Sequence, residues 1–303
     1  MKAVRIYEYG KPDVLRYEDG VPDPAIGPDT VLIKSVATSV NPIDWKVRSG
    51  ARQKDFPLEL PAILGKDVSG VVMAVGSAVR EFQPGDRVIA MSDATYAEIV
   101  AVPAALVTHL PDGVDPIDAA AIPLVSLTGD QLVRLATKAE AGQTIFVSGA
   151  LGSVGRAAVH TAKKVGAKVI VGVRARQLAE AESLDAHSIV ALDDEDAIGR
   201  LEAVDGVADT VGGEIAAKIL LKVRAGGRFG YASMLPEEAA RAAQVEVGRV
   251  FAKADPEKLR EFVNDVRDGK FVLPISRRMS LRDVRAAHEL LQEGGGGKIV
   301  LIT

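Results

Sequence analysis

The residues with the most chemistry in their spacing are Ser148-Gly149-Ala150-Leu151-Gly152-Ser153-Val154-Gly155. A β-branched apolar run, Thr144-Ile145-Phe146-Val147, precedes them. Val154, Ala158, Ala162 and Val165 follow on one helical face. Strand, glycine-rich turn and helix is the arrangement that binds a dinucleotide pyrophosphate. Gly152 admits close approach of backbone to the phosphates. Gly155 lets the helix lie tightly on its strand, and the unpaired N–H groups at the helix start receive the negative charge. The first glycine of G-x-G-x-x-G is Ala150 here, giving A-x-G-x-x-G. A strand-to-helix turn that needs glycine only for packing uses the same residues.

In a dinucleotide fold an acidic residue at the end of the second strand accepts the adenosine ribose hydroxyls, about 20 residues beyond the loop. Here that strand, Lys168 to Val173, runs into Arg174-Ala175-Arg176-Gln177 with no carboxylate. Guanidinium groups pair with a 2′-phosphate through charge-assisted hydrogen bonds, which a carboxylate repels. Arg174 and Arg176 therefore predict NADP(H) rather than NAD(H), against two solvated arginines in a surface turn.

The elements that must hold these residues change in texture near residue 120. Before it, short β-like runs such as Val31-Leu32-Ile33 and Val71 to Val75 alternate with Pro/Gly turns, which predicts a compact, partly open β-barrel. After it, strand patterns at 144–148, 168–173, 188–192, 207–211, 228–233 and 245–251 alternate with helical patterns at 153–165, 176–184 and 214–223. That order predicts a doubly wound parallel sheet. The tail reads as helices at 256–268 and 284–292 and a last strand at 298–302, returning to the first domain. The expected division is 1–120 completed by 252–303, and 121–251. Gly294 to Gly297 reads as a hinge before the last strand, because no helix follows it.

The 303 residues are 48% hydrophobic and 26% charged, which is globular composition. A formal net charge of -4 and the lack of a long basic run speak against nucleic acid as a partner. No apolar stretch approaches the roughly 20 residues needed to cross a bilayer. The segment Met1 to Arg5 has no signal-peptide character and reads as a first strand. The chain has no cysteine, which removes disulfides, thiol catalysis and cysteine-ligated zinc, and suits a reducing, cytoplasmic setting. His109, His160, His187 and His288 show no ligand spacing, so no metal site is expected, and His288 reads as packing. Tyr7 and Lys11 match a Y-x-x-x-K spacing by chance, far in sequence from the cofactor loop.

Six segments lie in an order that resembles one family. They are Asn41-Pro42-Ile43-Asp44-Trp45-Lys46, Gly65-Lys66-Asp67-Val68-Ser69-Gly70 and Pro84-Gly85-Asp86-Arg87-Val88, then Pro123 to Thr128, Asp209-Thr210-Val211-Gly212-Gly213 and Gly297-Lys298-Ile299-Val300-Leu301. Together with the loop they resemble the zinc-independent medium-chain dehydrogenase/reductases, the quinone oxidoreductase and enone reductase group, over essentially the whole chain. The resemblance implies a GroES-like β-barrel domain plus a Rossmann domain with a doubly wound parallel six-stranded sheet. It also implies NADPH-dependent hydride transfer to the β-carbon of an α,β-unsaturated carbonyl, or to a quinone, without metal. Gly65-Lys66-Asp67 stands where metal-dependent relatives place a Gly-His-Glu ligand segment. A homodimer through strand pairing of the cofactor domains is implied as well.

By the same resemblance Asn41 faces the nicotinamide or the substrate oxygen, although an Asn-Pro turn residue looks the same. Lys46 binds the nicotinamide ribose or donates to the enolate oxygen, and Asp44 lies beside it in the cofactor cleft. A surface ion pair is the competing reading for both. Thr128 touches the nicotinamide face. The implied cofactor contacts are completed by Gly149, Ala150, Leu151, Gly152, Ser153, Val154 and Gly155 of the loop, and by Val173, Arg174 and Arg176. Val211 and Gly212, then Tyr231, Ala232 and Ser233, end strands at the carboxyl edge where cofactors lie, and Lys298 closes near the cofactor. The chain departs from its relatives at Gly129-Asp130, where a charge enters a position expected to shape the pocket, and at Lys66. An aromatic content of 4% suits small acceptors better than polycyclic quinones. An enoyl-thioester reductase, a non-catalytic NADPH-binding sensor and an alcohol-oxidising dehydrogenase are the competing functions. The last lacks a metal to activate its oxygen.

Overall fold

The computed structural model describes residues 1–294 and 297–303. Gly295 and Gly296, the middle of the expected hinge, lie outside the described residues. Of its flanks, Gly294 takes φ +78° and caps the preceding helix, and Gly297 takes φ +61°. Two compact units divide the chain: Met1–Leu124 with Ala254–Thr303, and Val125–Lys253.

The first unit opens with β1 (Ala3–Ile6), β2 (Arg16–Glu18), β3 (Thr30–Val40), α1 (Pro42–Arg48) and β4 (Ala62–Ile63). It continues through β5 (Asp67–Val75), β6 (Arg87–Met91), β7 (Ile99–Pro103), β8 (Val107–His109) and α2 (Pro116–Ala119). The second unit contains α3 (Pro123–Gln131, its first two residues in the first unit), β9 (Thr144–Ser148), α4 (Ser153–Lys164), β10 (Lys168–Val173), α5 (Leu178–Ala181) and β11 (Ser188–Ala191). Then come α6 (Glu195–Arg200), β12 (Val204–Asp209), α7 (Gly213–Leu220), β13 (Val223–Tyr231), α8 (Glu237–Ala242) and β14 (Glu246–Arg249). The tail adds α9 (Pro256–Arg267), β15 (Ile275–Ser280), α10 (Val284–Glu293) and β16 (Lys298–Ile302) to the first unit.

In the first unit β3 is the long central strand. It pairs antiparallel with β5, β7 and β16, in a sheet whose main path runs β15-β16-β3-β5-β6-β8. Alternation along β3 sends Val31 and Ile33 into a cluster with Val68, Val88 and Val100. A second cluster joins Val4, Val47 and Tyr96 to Val284 and Ala287 of α10, so the tail helix shares a core with the first strands. Full burial of each such side chain contributes about 1.5–3 kcal/mol.

In the second unit the sheet order is β11-β10-β9-β12-β13-β14, with every pair parallel. Counted from β9 this is the 3-2-1-4-5-6 order of a Rossmann fold, and its switch point lies between β9 and β12. The central strands β9 and β10 read as near-continuous apolar runs because both faces are covered, whereas β13 and β14 toward the edge carry Arg, Gly and Glu. Ile145 and Val147 pack with Ala158 of α4 on one face, and Phe146 packs with Ala216 and Ile219 of α7 on the other.

The strand order follows the sequence pattern, and the differences have local causes. The helix expected at 176–184 is a single α turn, α5, between short 3₁₀ segments, stopped where Asp185 takes φ +48°. The strand expected at 207–211 begins earlier, at Val204, and the chain leaves it at Thr210 because Asp209 turns back to accept backbone N–H groups. β15 carries no apolar alternation to reveal it, since Ser-Arg-Arg lies on the exposed edge of its sheet. α6 is short and starts at the Asp194 cap, where a side-chain oxygen takes the Ala197 N–H.

Candidate functional site

The glycine turn lies at the carboxyl end of β9, on the switch point. Gly149 takes φ +63°, which L side chains rarely adopt. A Cβ on Gly155 would collide with the Gly149 carbonyl oxygen and lie 2.7 Å from the Ala150 Cα. The turn therefore closes on itself at Gly155, while Ala150 is fully buried beneath it. Gly152 is the N-cap of α4 and brings no side chain to its first N–H groups. Leu151, Ser153 and Val154 complete the turn and the first residues of the helix.

Two residues below the turn went unassigned in the sequence. Ser148 Oγ donates to Asp209 Oδ1 at 2.5 Å and accepts the Thr210 N–H at 2.9 Å, and Thr210 Oγ1 donates to the Ser148 carbonyl at 2.8 Å. Asp209 Oδ2 takes the Gly212 N–H at 2.9 Å. Burial pushes the Asp209 carboxyl above its usual range, against the hydrogen bond from Ser148. This brace ties β9 to β12 and sets Val211 and Gly212, with φ +80° at Gly212, at the sheet edge. Tyr231 ends β13 and Ala232 and Ser233 follow it at the same edge, fixed by the Ala232 N–H on the Asp209 carbonyl at 3.0 Å.

Beyond Val173 at the end of β10, Arg174 and Arg176 are exposed, and neither forms an ion pair among the described residues. The Ala175 N–H between them goes to Asp193 Oδ1 at 2.7 Å. Thr128 lies in α3, nearly buried. Its neighbour Gly129 permits close packing on α4, where a Cβ would lie 2.6 Å from the Ala158 nitrogen. Asp130 pairs at 2.9 Å with Arg134 of the π-helical segment Leu132–Thr137 that continues α3, so its charge is answered there.

The first unit holds the other predicted residues in a buried polar cluster. Asn41 is the N-cap of α1 and is 1% exposed. Its Nδ2 donates to Asp67 Oδ2 at 2.7 Å, and its Oδ1 accepts from Lys298 Nζ at 2.7 Å. Asp67 also accepts from Ser39 Oγ and, at Oδ1, from the Leu124 N–H at 2.7 Å. Lys298 Nζ lies 3.6 Å from Asp67 Oδ2, and burial lowers the ammonium's pKa against the pull of Asp67. Asn41 and Lys298 are thus joined through Asp67. Both ends of the Asn41 amide are committed inside the unit.

Asp44 begins a second chain of bonds. Its Oδ2 accepts the Asn41 N–H at 2.8 Å and the Tyr96 hydroxyl at 3.0 Å. Tyr96 Oη lies 3.2 Å from His288 Nε2, and Arg48 Nη1 lies 3.0 Å from His288 Nδ1. Arg48 Nη2 donates to Gln292 Oε1 at 2.9 Å. A guanidinium can only donate, so Nδ1 of His288 accepts and a neutral ring carries its proton on Nε2. Burial, reinforced by Arg48, lowers the His288 pKa to about 3. Burial pushes the Asp44 carboxyl up to about 7, with the Asn41 N–H opposing and Asp67 adding to the rise. Tyr96 is raised well above its usual value, chiefly by burial. His288 is therefore more than packing, since both ring nitrogens are hydrogen-bonded. Gly65, at φ +98°, makes room for Tyr96: a Cβ there would lie 2.5 Å from its ring.

Asp44 is no surface ion pair. It lines a cavity of about 290 Å³ with Lys66, Phe56, Leu58 and Leu64. Lys66 pairs with Asp93 and lies 5.3 Å from the centre of the Phe56 ring. Lys46 Nζ lies 5.7 Å from the centre of the Trp45 ring. A larger groove of about 540 Å³, lined by Thr144, Lys168 and Ser188, opens at the amino ends of the parallel strands, the edge opposite the glycine turn. Tyr7 is held by Arg5, Arg16 and Glu18 on the barrel surface, with no link to this cluster.

Arg48, Ser39, Tyr96 and the acceptor role of Asp67 were not read from the sequence. Their sequence neighbours give no signal: Arg48 stands among Lys46, Ser49 and Arg52, and Asp67 directly follows Lys66. Among the described residues no group of three or more His, Asp or Glu is placed to hold a metal. The donor set around Asp67 is an amide, a hydroxyl, a backbone N–H and an ammonium, all of which offer hydrogen rather than lone pairs to its carboxylate. That set does not fit zinc.

Residues 27–112 match the alcohol dehydrogenase GroES-like domain, and residues 184–301 match a family described as zinc-binding dehydrogenase. The chloroplastic NADPH-dependent alkenal/one oxidoreductase of Arabidopsis thaliana is 33% identical over 292 residues, covering 91% of this chain and 74% of that protein. Human quinone oxidoreductase is 37% identical over 172 residues, 56% of this chain and 52% of that protein, so the match spans about half of each. Among solved structures, Coxiella burnetii quinone oxidoreductase superposes with a TM-score of 0.90 at 28% identity, covering 100% and 99% of the two chains. Escherichia coli quinone oxidoreductase, solved with NADPH, gives 0.86 at 25% identity and covers 100% of both. The glycine turn at the Rossmann switch point, the GroES-like barrel and these relatives together place the chain in the medium-chain dehydrogenase/reductase family, in its quinone oxidoreductase and enone reductase group.

Proposed function

We propose that this chain is an NADPH-dependent reductase of small α,β-unsaturated carbonyls and quinones that works without metal. One observation carries the choice of cofactor: two exposed arginines without ionic partners stand beyond β10, where an NAD-specific fold places a carboxylate. The cradle fits a dinucleotide, since Gly149 and Gly155 leave room that a Cβ would fill and the start of α4 has no side-chain cap. Bound there, NADPH supplies the hydride. The loop from Gly149 to Gly155 holds the pyrophosphate, Val173 with Arg174 and Arg176 the 2′-phosphate ribose, and Thr128, Val211, Gly212 and Tyr231 to Ser233 the nicotinamide side. In the first unit Asn41, Asp44, Lys46 and Lys298 serve the reacting end. Asn41 and Lys298 act there by holding α1 and β16 in place.

The cavity beside Asp44, at about 290 Å³, is at the small end of ligand pockets, which favours short enones and enals over polycyclic quinones. No helix among the described residues is long and apolar enough to cross a membrane. A homodimer, paired through the free edge at β14, and a cytoplasmic setting belong to the same proposal. The test is NADPH and NADH oxidation across short enones, enals and small quinones. Turnover with NADPH well above NADH is the expected result. Tight NADPH binding with no turnover on any acceptor would leave a cofactor-binding sensor or a thioester reductase.

A further inference from the structure

We propose that Asp44 is the acid that delivers the proton to the α-carbon of a reduced enone, with Tyr96, His288 and Arg48 as the residues that position it. The inference rests on the reductase reading above and names a group that reading leaves open. The hydrogen-bond directions carry it. Arg48 can only donate, so His288 accepts at Nδ1 and donates from Nε2 to Tyr96. With its oxygen accepting from His288, Tyr96 turns its own hydrogen to Asp44 Oδ2. The Asn41 N–H takes the other acceptor position of that oxygen. A proton on the Asp44 carboxyl must therefore sit on Oδ1.

Oδ1 makes no hydrogen bond among the described residues and is not sealed from its surroundings, and Asp44 lines the cavity. The acid proton thus points at the space where an acceptor fits. The other carboxylates on the cavity wall are exposed and paired, Asp55 with Arg52 at 3.0 Å and Asp93 with Lys66. Asp44 is 2% exposed and has no ionic partner among the described residues. Burial at this position keeps a share of it protonated at neutral pH, with a pKa of about 7. The charged and titratable groups facing it are Asp67 on β5, Lys298 on β16, Arg48 on α1, His288 on α10, Tyr96 before β7 and Lys66 across the cavity.

The step balances. Hydride addition at the β-carbon leaves an electron pair shared between the carbonyl oxygen and the α-carbon. The O–H bond at Oδ1 breaks, a C–H bond forms at the α-carbon, and the carboxylate recovers its proton from water through the cavity mouth. The chain behind Asp44 ends at Arg48, which keeps its protons, so it orients the acid and does not refill it. A quinone makes a different demand, since its product is protonated on oxygen and water serves directly.

The test compares Asp44→Asn with the unaltered enzyme on an enone and on a quinone, in D₂O. Enone turnover is expected to fall roughly 10²- to 10⁴-fold, and quinone turnover to fall at least tenfold less than that. The unaltered enzyme is expected to place deuterium on one face of the α-carbon, and the variant on both. Enone turnover should decline above about pH 7. Tyr96→Phe, which removes a hydrogen bond to the ionised carboxylate, should move that limb up by roughly half a pH unit. Infrared difference spectra between the two proteins should show a carboxylic acid band that disappears over the same pH range. Parallel loss of both activities, retained facial selectivity in Asp44→Asn, or no such band overturns the acid. Absence of any turnover by the unaltered enzyme removes the reductase reading, and the inference with it.

Discussion

The glycine turn of the Rossmann unit and the polar cluster of the barrel unit are built in opposite ways. The turn is a matter of backbone space, made by neighbours in sequence, with Gly149 and Gly155 in mutual contact. The cluster is a matter of partners, made by side chains from α1, β5, the loop before β7, α10 and β16. A turn of this kind is damaged by added atoms. A buried cluster is damaged by removed ones, because each loss leaves a polar group without its partner.

The largest effect is expected where a charge loses its counter-charge. Lys298→Met leaves Asp67 buried and unpaired, and urea unfolding should show a loss of about 3–5 kcal/mol. A loss below about 1 kcal/mol would mean that Asn41, Ser39 and the Leu124 N–H suffice for Asp67.

The turn should respond in the reverse sense. Gly155→Ala adds only a methyl group, but that group meets backbone atoms of Gly149 and Ala150, which have nowhere to give. An overpacking cost of about 1–3 kcal/mol predicts NADPH binding weakened roughly 10- to 100-fold in a fluorescence titration. Gly199 in α6 is the control, since nothing lies within 4 Å of its added Cβ. Gly199→Ala should leave binding unchanged and raise stability by about 0.5–1 kcal/mol.

Between these extremes lie the arginines, which are exposed and have no partner to lose. Arg174→Ala with Arg176→Ala should weaken NADPH binding roughly tenfold or more and leave NADH nearly unaffected. Equal loss for both cofactors would return them to the solvated surface.

The last effect is a slope, nearly cancelled in the unaltered protein. His288, lowered to about 3, makes stability fall as pH drops below its unfolded value of 6.5. Asp44, raised to about 7 from 3.8, makes stability fall as pH rises through that interval. Between about pH 4 and 6.5 the two contributions, each near 1.4 kcal/mol per pH unit, oppose one another. Replacing one partner should uncover the other: His288→Gln should lose stability with rising pH over this range, and Asp44→Asn should gain it. Identical slopes in the two variants would break the opposition.

How far the chain could be read follows from the same contrast. The central parallel strands β9 and β10 are legible because both their faces are buried, so each is an apolar run. β15 was not, because Ser276, Arg277 and Arg278 lie on an exposed edge. Asn41, Asp44 and Lys298 stand out in the sequence as members of motifs, and the structure joins them in one buried cluster whose bonding the sequence does not show. Asp67 and Asp209 lay inside the quoted segments and still received no role, since nothing near them in sequence names Lys298 or Ser148 as the partner.

The sequence by itself determined the glycine-rich strand–turn–helix, the absence of a carboxylate after β10 and the absence of cysteine. These are properties of neighbours, set by sterics and by composition over a few residues. Only the tertiary structure decided that His288 lies between Arg48 and Tyr96, and that the Asp44 oxygens differ. Arg48 and His288 are 240 residues apart, and packing of α10 against α1 alone brings them within 3.0 Å. A guanidinium that can only donate then fixes each bond along that path, and the direction of a hydrogen bond depends on its partner rather than on its place in the chain.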